Sequence, residues 1–281
     1  MLNRRRLLTG AAALAAYSRI HPARALSAGE RILLLGAQSP AQAFLARTTG
    51  LSAKHQVAYT TFINALVLAG VWPLLKVLYV LATQNSTVAL LNLINDTFTL
   101  VPIGPPTFTV DQGYAGDGVS TLLDTQWLAS NFTSLNNLSM FGWALTHTNG
   151  NGQWGCFDVG GRVGQLASSS SPTNMFIRMN RTAGADINLT IPTDIGFFGA
   201  SRTSSTNVDA QANATQFIGN TQASTVPTIT SMKICGVGVN PGDFDVAQVG
   251  MFGAGNAMTP AQMNATFKAA HLYMQTIAGV P

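Results

Sequence analysis

The apolar positions of this chain change their period once. Between residues 51 and 95 they fall at helical spacing, and from Phe98 onward they alternate with polar positions. In the first stretch, Ser52 predicts the N-cap of a helix running from Ala53 to Ala69 and closed by Gly70. Val57, Ile63, Leu66 and Val67 repeat along it. A second helix is expected from Val71-Trp72-Pro73, with Pro73 tolerated in the first turn and Leu74, Leu75, Leu78 and Leu81 as its apolar side. Ser86 predicts the cap of a third, from Thr87 to Ile94. Ahead of these, residues 26–50 read as a connector with one apolar patch, Ile32 to Leu35.

From Phe98 the pattern predicts strands. Phe98, Leu100, Phe108 and Val110 alternate with polar residues, and Gly113, Gly116 and Gly118 punctuate the chain. Asn149-Gly150 and Asn151-Gly152 are strong hairpin signals. Strands are expected at 137–146, 153–158, 174–180, 187–191, 195–202, 206–209, 216–220, 228–239 and 246–252, with Ser168 to Ser171 a polar loop. Many short strands joined by glycine-rich turns predict an antiparallel β-sandwich over residues 96–281. A closing helix is expected at 259–278. Thr259 is its N-cap, Pro260 its first residue, Gln262 the partner in a capping box and Gly279 its stop. Met263, Phe267, Ala270, Met274 and Ile277 form its apolar stripe. Such a helix covers part of a sandwich that would otherwise be open.

Composition refines this picture. Of 281 residues 47% are apolar, enough for a real core, but only 9% are charged, against about 25% in ordinary domains. The surface must therefore be built from Ser, Thr, Asn, Gln and Gly, as in extracellular and virion β proteins. The net charge of +4 is local to the N-terminus. Arg4, Arg5, Arg6, Arg19 and Arg24 all lie in the first 25 residues, and no acid does. Residues 26–281 carry ten basic and eleven acidic groups, a net charge of −1, so electrostatics gives no reason to expect nucleic-acid binding. The first 25 residues read as an export signal. Arg4 to Arg6 precede the apolar Leu7–Tyr17, and Ala23-Arg24-Ala25 offers a cleavage site. Asn3 to Leu8 resembles a twin-arginine signal. That apolar run is too short to span a membrane, which needs about 20 residues. Trp72-Pro73 and Lys76 interrupt the other apolar stretch, Leu66 to Leu81.

Several stretches together resemble a known group. They are AFLARTTG (43–50), AYTTFINALVLAG (58–70), VWPLLKVLYV (71–80), ALLNLI (89–94), PTFTVDQGYAGDG (106–118) with Leu123-Asp124-Thr125, and the C-terminal FGAGNAMTPAQMNATFKAAHLYMQTIAGVP. The resemblance covers about residues 40–281. It is to bacterial, prophage and phage proteins in which a helical GVW-x-K-L-x-x-L-Y segment precedes a concanavalin A-like, laminin-G-like domain. It implies a jelly-roll sandwich and a binding or tail-fibre-like structural role; the leader is not part of it.

Candidate chemistry is sparse. Glycosidases of this fold place two carboxylates about 5–5.5 Å apart when retaining, typically glutamates at alternate strand positions. Here Glu30 is the only glutamate, and the alternating pair is Asp243 and Asp245 in a turn-like Pro241–Asp245. No Gly-x-Ser-x-Gly elbow occurs, and His21, His55, His147 and His271 lie in no zinc-ligand spacing. His147 reads as an exposed turn residue. Calcium is the metal such sandwiches often hold through loop oxygens. Asp111, Asp117, Asp243 and Asp245 are its candidates, although Asp and Gly are also ordinary turn residues. A glycan platform would use aromatics. Tyr114, Trp127 in a loop-like 124–130 and Trp154 near a loop tip are the candidates, while Trp143 alternates with Phe141 and Leu145 as core. Cys156 and Cys235 are either one disulfide or two buried thiols.

The sequence thus predicts an exported, non-enzymatic sandwich that binds a glycan or a partner protein at the cell envelope or in a phage-like particle, oligomeric or not. The rivals are an exported polysaccharide hydrolase of the same fold and an architectural virion subunit.

Overall fold

The structure is a computed structural model. It describes residues 38–281 except 132–133, 158–162, 169–172, 182–185 and 227–228. The expected leader, the patch Ile32–Leu35 and most of the connector lie outside the described residues.

The first elements are set by their caps. Helix α1 is Pro40–Leu45, where Ser39 and Gln42 exchange both capping-box bonds. The connector reading missed it. Helix α2 is Ala53–Leu68, capped by the Ser52 hydroxyl and ended by Gly70 in a left-handed conformation, as expected. Val57 is not on its buried stripe and is 65% exposed.

The expected second helix is a strand. After a single 3-10 turn at Trp72–Leu74, Leu75–Val80 forms β1. Leu78 and Val80 face the helices, and Val77 and Tyr79 face the inter-sheet core. A strand buried on both faces loses its polar alternation and cannot be told from a buried helix by period alone. The third helix shrinks to α3, Ser86–Ala89, and its cap is Asn85 rather than Ser86.

The remaining strands follow in chain order. They are β2 Val101–Ile103, β3 Thr107–Thr109, β4 Gly113–Ala115, β5 Leu122–Leu128, β6 Leu138–Ala144, β7 Trp154–Phe157 and β8 Val163–Ser168. Then come β9 Asn174–Arg181, β10 Ile187–Thr190, β11 Gly196–Arg202, β12 Asn207–Ala212, β13 Thr215–Thr221, β14 Ser231–Ile234 and β15 Gln248–Gly255. Helix α4, Pro260–Ala278, closes the chain with the expected Thr259–Gln262 capping box. Strands β4, β5 and β8 went unread, β4 because Gly113 and Gly116 read as turn, while β2 and β3 fall in the alternating stretch that follows Phe98. The expected strand at 228–239 is cut to β14, because the left-handed Cys235 (φ 63°) ends it.

These strands form two antiparallel sheets, so the chain is the predicted β-sandwich with a C-terminal helix. The inner sheet has the order β13-β12-β11-β6-β15-β4-β3, with β1 also paired to β15. The outer sheet has the order β10-β9-β8-β7-β14-β5-β2. Between them lies one core that includes Trp127, Trp154, Tyr79, Met140, Ile177 and Phe252.

A second core lies on the far face of the inner sheet, where α1, α2 and α4 cover Phe141, Trp143, Phe197 and Met251. Glycines let α4 come close. A Cβ at Gly199 would sit 2.6 Å from Met263 Sδ, and one at Gly250 would sit 2.6 Å from Met274 Cε. The helices of residues 51–95 thus pack on the sandwich, and β1 is itself a strand of the inner sheet. Among the described residues, no helix is long and apolar enough to cross a membrane.

Cys156 and Cys235 are buried and do not form a disulfide. Cys235 faces the Tyr114 carbonyl at 3.4 Å, and burial pushes its thiol pKa up.

Candidate functional site: the open face of the outer sheet

Helices seal the inner sheet, and the outer sheet has no such cover among the described residues. Its inward side chains include Leu123, Trp154, Cys156, Met175, Ile177, Met232 and Ile234. Strand alternation therefore turns Asp124, Phe157, Phe176, Arg178, Ser231 and Lys233 outward.

Two clusters stand on this face. At the β9–β10 end, Arg178 lies over the Phe176 ring, 5.3 Å from its centroid, and makes two bonds to Asp186, at 2.6 and 3.1 Å. Arg181 also reaches Asp186, so two cations share one carboxylate.

At the β5–β14 end, Lys233 pairs directly across the ladder with Asp124. Its Nζ is 2.6 Å from Asp124 Oδ2 and donates again to Ser231 Oγ at 2.6 Å. The side chains are only 9% and 11% exposed. The register shifts beside them, and Gln126 takes a positive φ of 59°. Asp124 Oδ1 accepts the Gln126 N–H at 2.9 Å, so one carboxylate fixes both the bulge and the ammonium.

Lys233 and Ser231 line a groove of about 610 Å³ walled by Leu128, Phe157, Ile229, Val237 and Val239. Ile229 is 72% exposed and Val239 62% exposed, so the rim is apolar and open to solvent. Sequence reasoning missed the groove. The signal available was a lysine between Met232 and Ile234, an odd choice in a chain so poor in charge.

The residues singled out from sequence lie elsewhere. Tyr114, Trp127 and Trp154 are buried in the inter-sheet core and present no face to a sugar. Trp154 follows the Asn-Gly turns but points inward from β7, and Trp127 belongs to β5 rather than a loop. Trp143 is core, as expected, under α4.

The four aspartates do not converge on a metal. Asp111 bonds His55 Nε2 at 2.8 Å. Asp117 accepts N–H bonds from Val119, Ser120 and Thr121 in its own loop. Those bonds, first from Ser120 and Val119, hold its pKa well below the usual carboxylate range. Asp243 accepts from the Asn240 backbone and side chain. Asp245 is buried, with bonds from the Thr148 hydroxyl and, at 2.7 Å, from the Ala247 N–H. Burial raises its pKa despite those bonds. Among the described residues, no three of His, Cys, Asp and Glu are grouped to hold an ion.

Two histidines have carboxylate partners. His147 is exposed outside the strands, as expected, and its Nδ1 is 2.5 Å from the buried Asp194, which also accepts the Thr148 N–H at 3.1 Å. Thr148 in turn bonds Asp245, so two buried aspartates tie three loops together. Elsewhere, Ser52 Oγ is 2.7 Å from His55 Nδ1, and His55 Nε2 reaches Asp111. The residue types match a catalytic triad, but this serine caps α2 and the histidine is buried.

No family model matches the chain, and no curated protein matches it. Solved structures similar to it include a mutant of Trypanosoma rangeli sialidase displaying trans-sialidase activity. That match has TM-score 0.53 and 9% identity over 83% of this chain and 39% of that one. The T. rangeli sialidase in complex with 2,3-difluorosialic acid matches at TM-score 0.51 and 10% identity, over 78% of this chain and 39% of that one. Domain 4 of a GH43 extracellular arabinanase from Geobacillus stearothermophilus, solved with arabinotriose, matches at TM-score 0.47 and 13% identity, over 68% of this chain and 97% of that one. The chain spans about two fifths of the sialidase chains. The likeness is one of fold.

Proposed function

We propose that this chain is an exported, non-catalytic glycan-binding module whose working surface is the open face of the outer sheet. The observation that carries this reading is the unequal cover of the two sheets. Three helices bury one outer face, while the other, among the described residues, keeps an apolar-walled groove open to solvent above a largely buried charged pair. A groove of this size with a few convergent polar groups has the form of a ligand site. The lack of any glutamate after residue 30 supports a binding role rather than hydrolysis. The low charge and the basic leader pattern support export.

A glycan-array screen of the purified protein tests the proposal, repeated with Ile229→Asp on the sheet face and Leu272→Asp on the helical face. The expected result is saturable binding that Ile229→Asp weakens and Leu272→Asp leaves unchanged. Binding lost with Leu272→Asp alone, or no binding at all, would overturn it.

A further inference from the structure

Resting on that reading, we propose that the groove lined by Lys233 and Ser231 takes an uncharged saccharide, seated with its hydroxyls on those two side chains and its C–H face on the apolar walls.

The first argument is the place of the pair. Taking an ammonium and a carboxylate out of water is costly, and apolar residues of similar volume would be as stable or more so. Yet this pair is about nine-tenths buried on a face that is otherwise open. An ammonium has three N–H donors. Asp124 and Ser231 accept two of them, and the third is left for an acceptor in the groove. Ser231 Oγ accepts from Lys233 and keeps its own hydrogen to donate.

The second argument is charge. Lys233 and Asp124 together carry no net charge. A carboxylate or ammonium ligand would lose its hydration and meet no net countercharge. A hydroxyl accepts from Nζ, or from the Ser231 hydroxyl, without bringing a charge into the groove.

The third argument is the wall. Phe157, Leu128, Ile229, Val237 and Val239 reward a ligand that is apolar on the side facing away from its hydroxyls. A pyranose ring has that division. The Arg178–Asp186 pair lies at the other end of the face, beside Phe176. The proposal therefore separates two ends of one surface.

The test uses the intact protein on paired neutral and uronate- or sialate-bearing oligosaccharides. The variants are wild type, the double Lys233→Met with Asp124→Leu, Ser231→Ala, Arg178→Gln at the other end, and Leu272→Asp. The double variant replaces both charges with apolar side chains and keeps the volume, which preserves folding in buried pairs. The expected result is binding of neutral sugars, weakened on the order of tenfold or more by the double variant. Leu272→Asp, on the helical face, leaves binding unchanged, and Arg178→Gln weakens it less than the groove variants do. Should the double variant fail to fold, Ser231→Ala carries the same test with a smaller loss. Preference for acidic sugars, or binding that falls with Arg178→Gln and survives the groove variants, overturns this inference and leaves the module reading standing. No glycan binding at all overturns the reading beneath it.

Discussion

Lys233 stands opposite Asp124 across 109 residues of sequence, its Nζ 2.6 Å from the carboxylate and both side chains largely removed from water. The account of the open face turns on this pair, and its energetics are testable without a ligand. Lys233→Ala strands a buried carboxylate and is expected to cost about 3–5 kcal/mol. The double Lys233→Met with Asp124→Leu is expected to be nearly neutral or stabilising. Urea unfolding of both variants checks this. A double variant as unstable as the single would mean that the pair holds the sheet together.

Trp154 separates core from ligand platform. It is fully buried between the sheets, so Trp154→Ala is expected to cost about 3–5 kcal/mol through lost burial and a residual cavity. Denaturant melts give the number. A loss under about 1 kcal/mol, well below that range, would put the indole at the surface, where its sequence context suggested.

Gly255 tests whether Leu75–Val80 is a strand. Leu75 pairs with Gly255, and a Cβ at Gly255 would lie 2.2 Å from the Leu74 carbonyl oxygen. That contact is with backbone, which yields little. Gly255→Ala is expected to destabilise by about 1–3 kcal/mol. If residues 71–81 were a helix apart from β15, the alanine would be tolerated.

Asp117 gives the pH dependence. Its folded-state pKa is depressed by backbone N–H donors, so the unfolded chain binds the proton first as pH falls. Its contribution to stability is present above the ordinary aspartate pKa of about 3.9 and is lost as pH falls from there through the folded value. Asp117→Asn is expected to flatten the stability profile in that acid window and to change little in its slope near neutrality. A carboxyl signal that titrates at the ordinary value in NMR would contradict it.

What could be read in the sequence was what local residues decide. Thr259, Pro260 and Gln262 fix the start of α4 among themselves, and Ser52 and Gly70 frame α2, so those helices were visible. Strands β6, β9 and β11 were visible for a related reason: glycine and asparagine turns bound their apolar runs. Strand β1 was hidden because both of its faces are buried, one against helices and one against the other sheet. The aromatic candidates failed because a turn sequence beside Trp154 says where the chain bends, not which way the indole points. The groove was hidden because Asp124 and Lys233 meet only through the ladder between β5 and β14. No spacing rule spans that distance. The only trace was a charged residue alternating with Met232 and Ile234.

The central claim is that the open sheet face is the working surface. Hydrogen–deuterium exchange with and without a bound neutral oligosaccharide measures it most directly. The account predicts added protection in β5, β7 and β14 and in residues 235–240, with α2 and α4 unchanged. Protection confined to α2 and α4, or to the loops joined by Asp194 and Asp245, would contradict it.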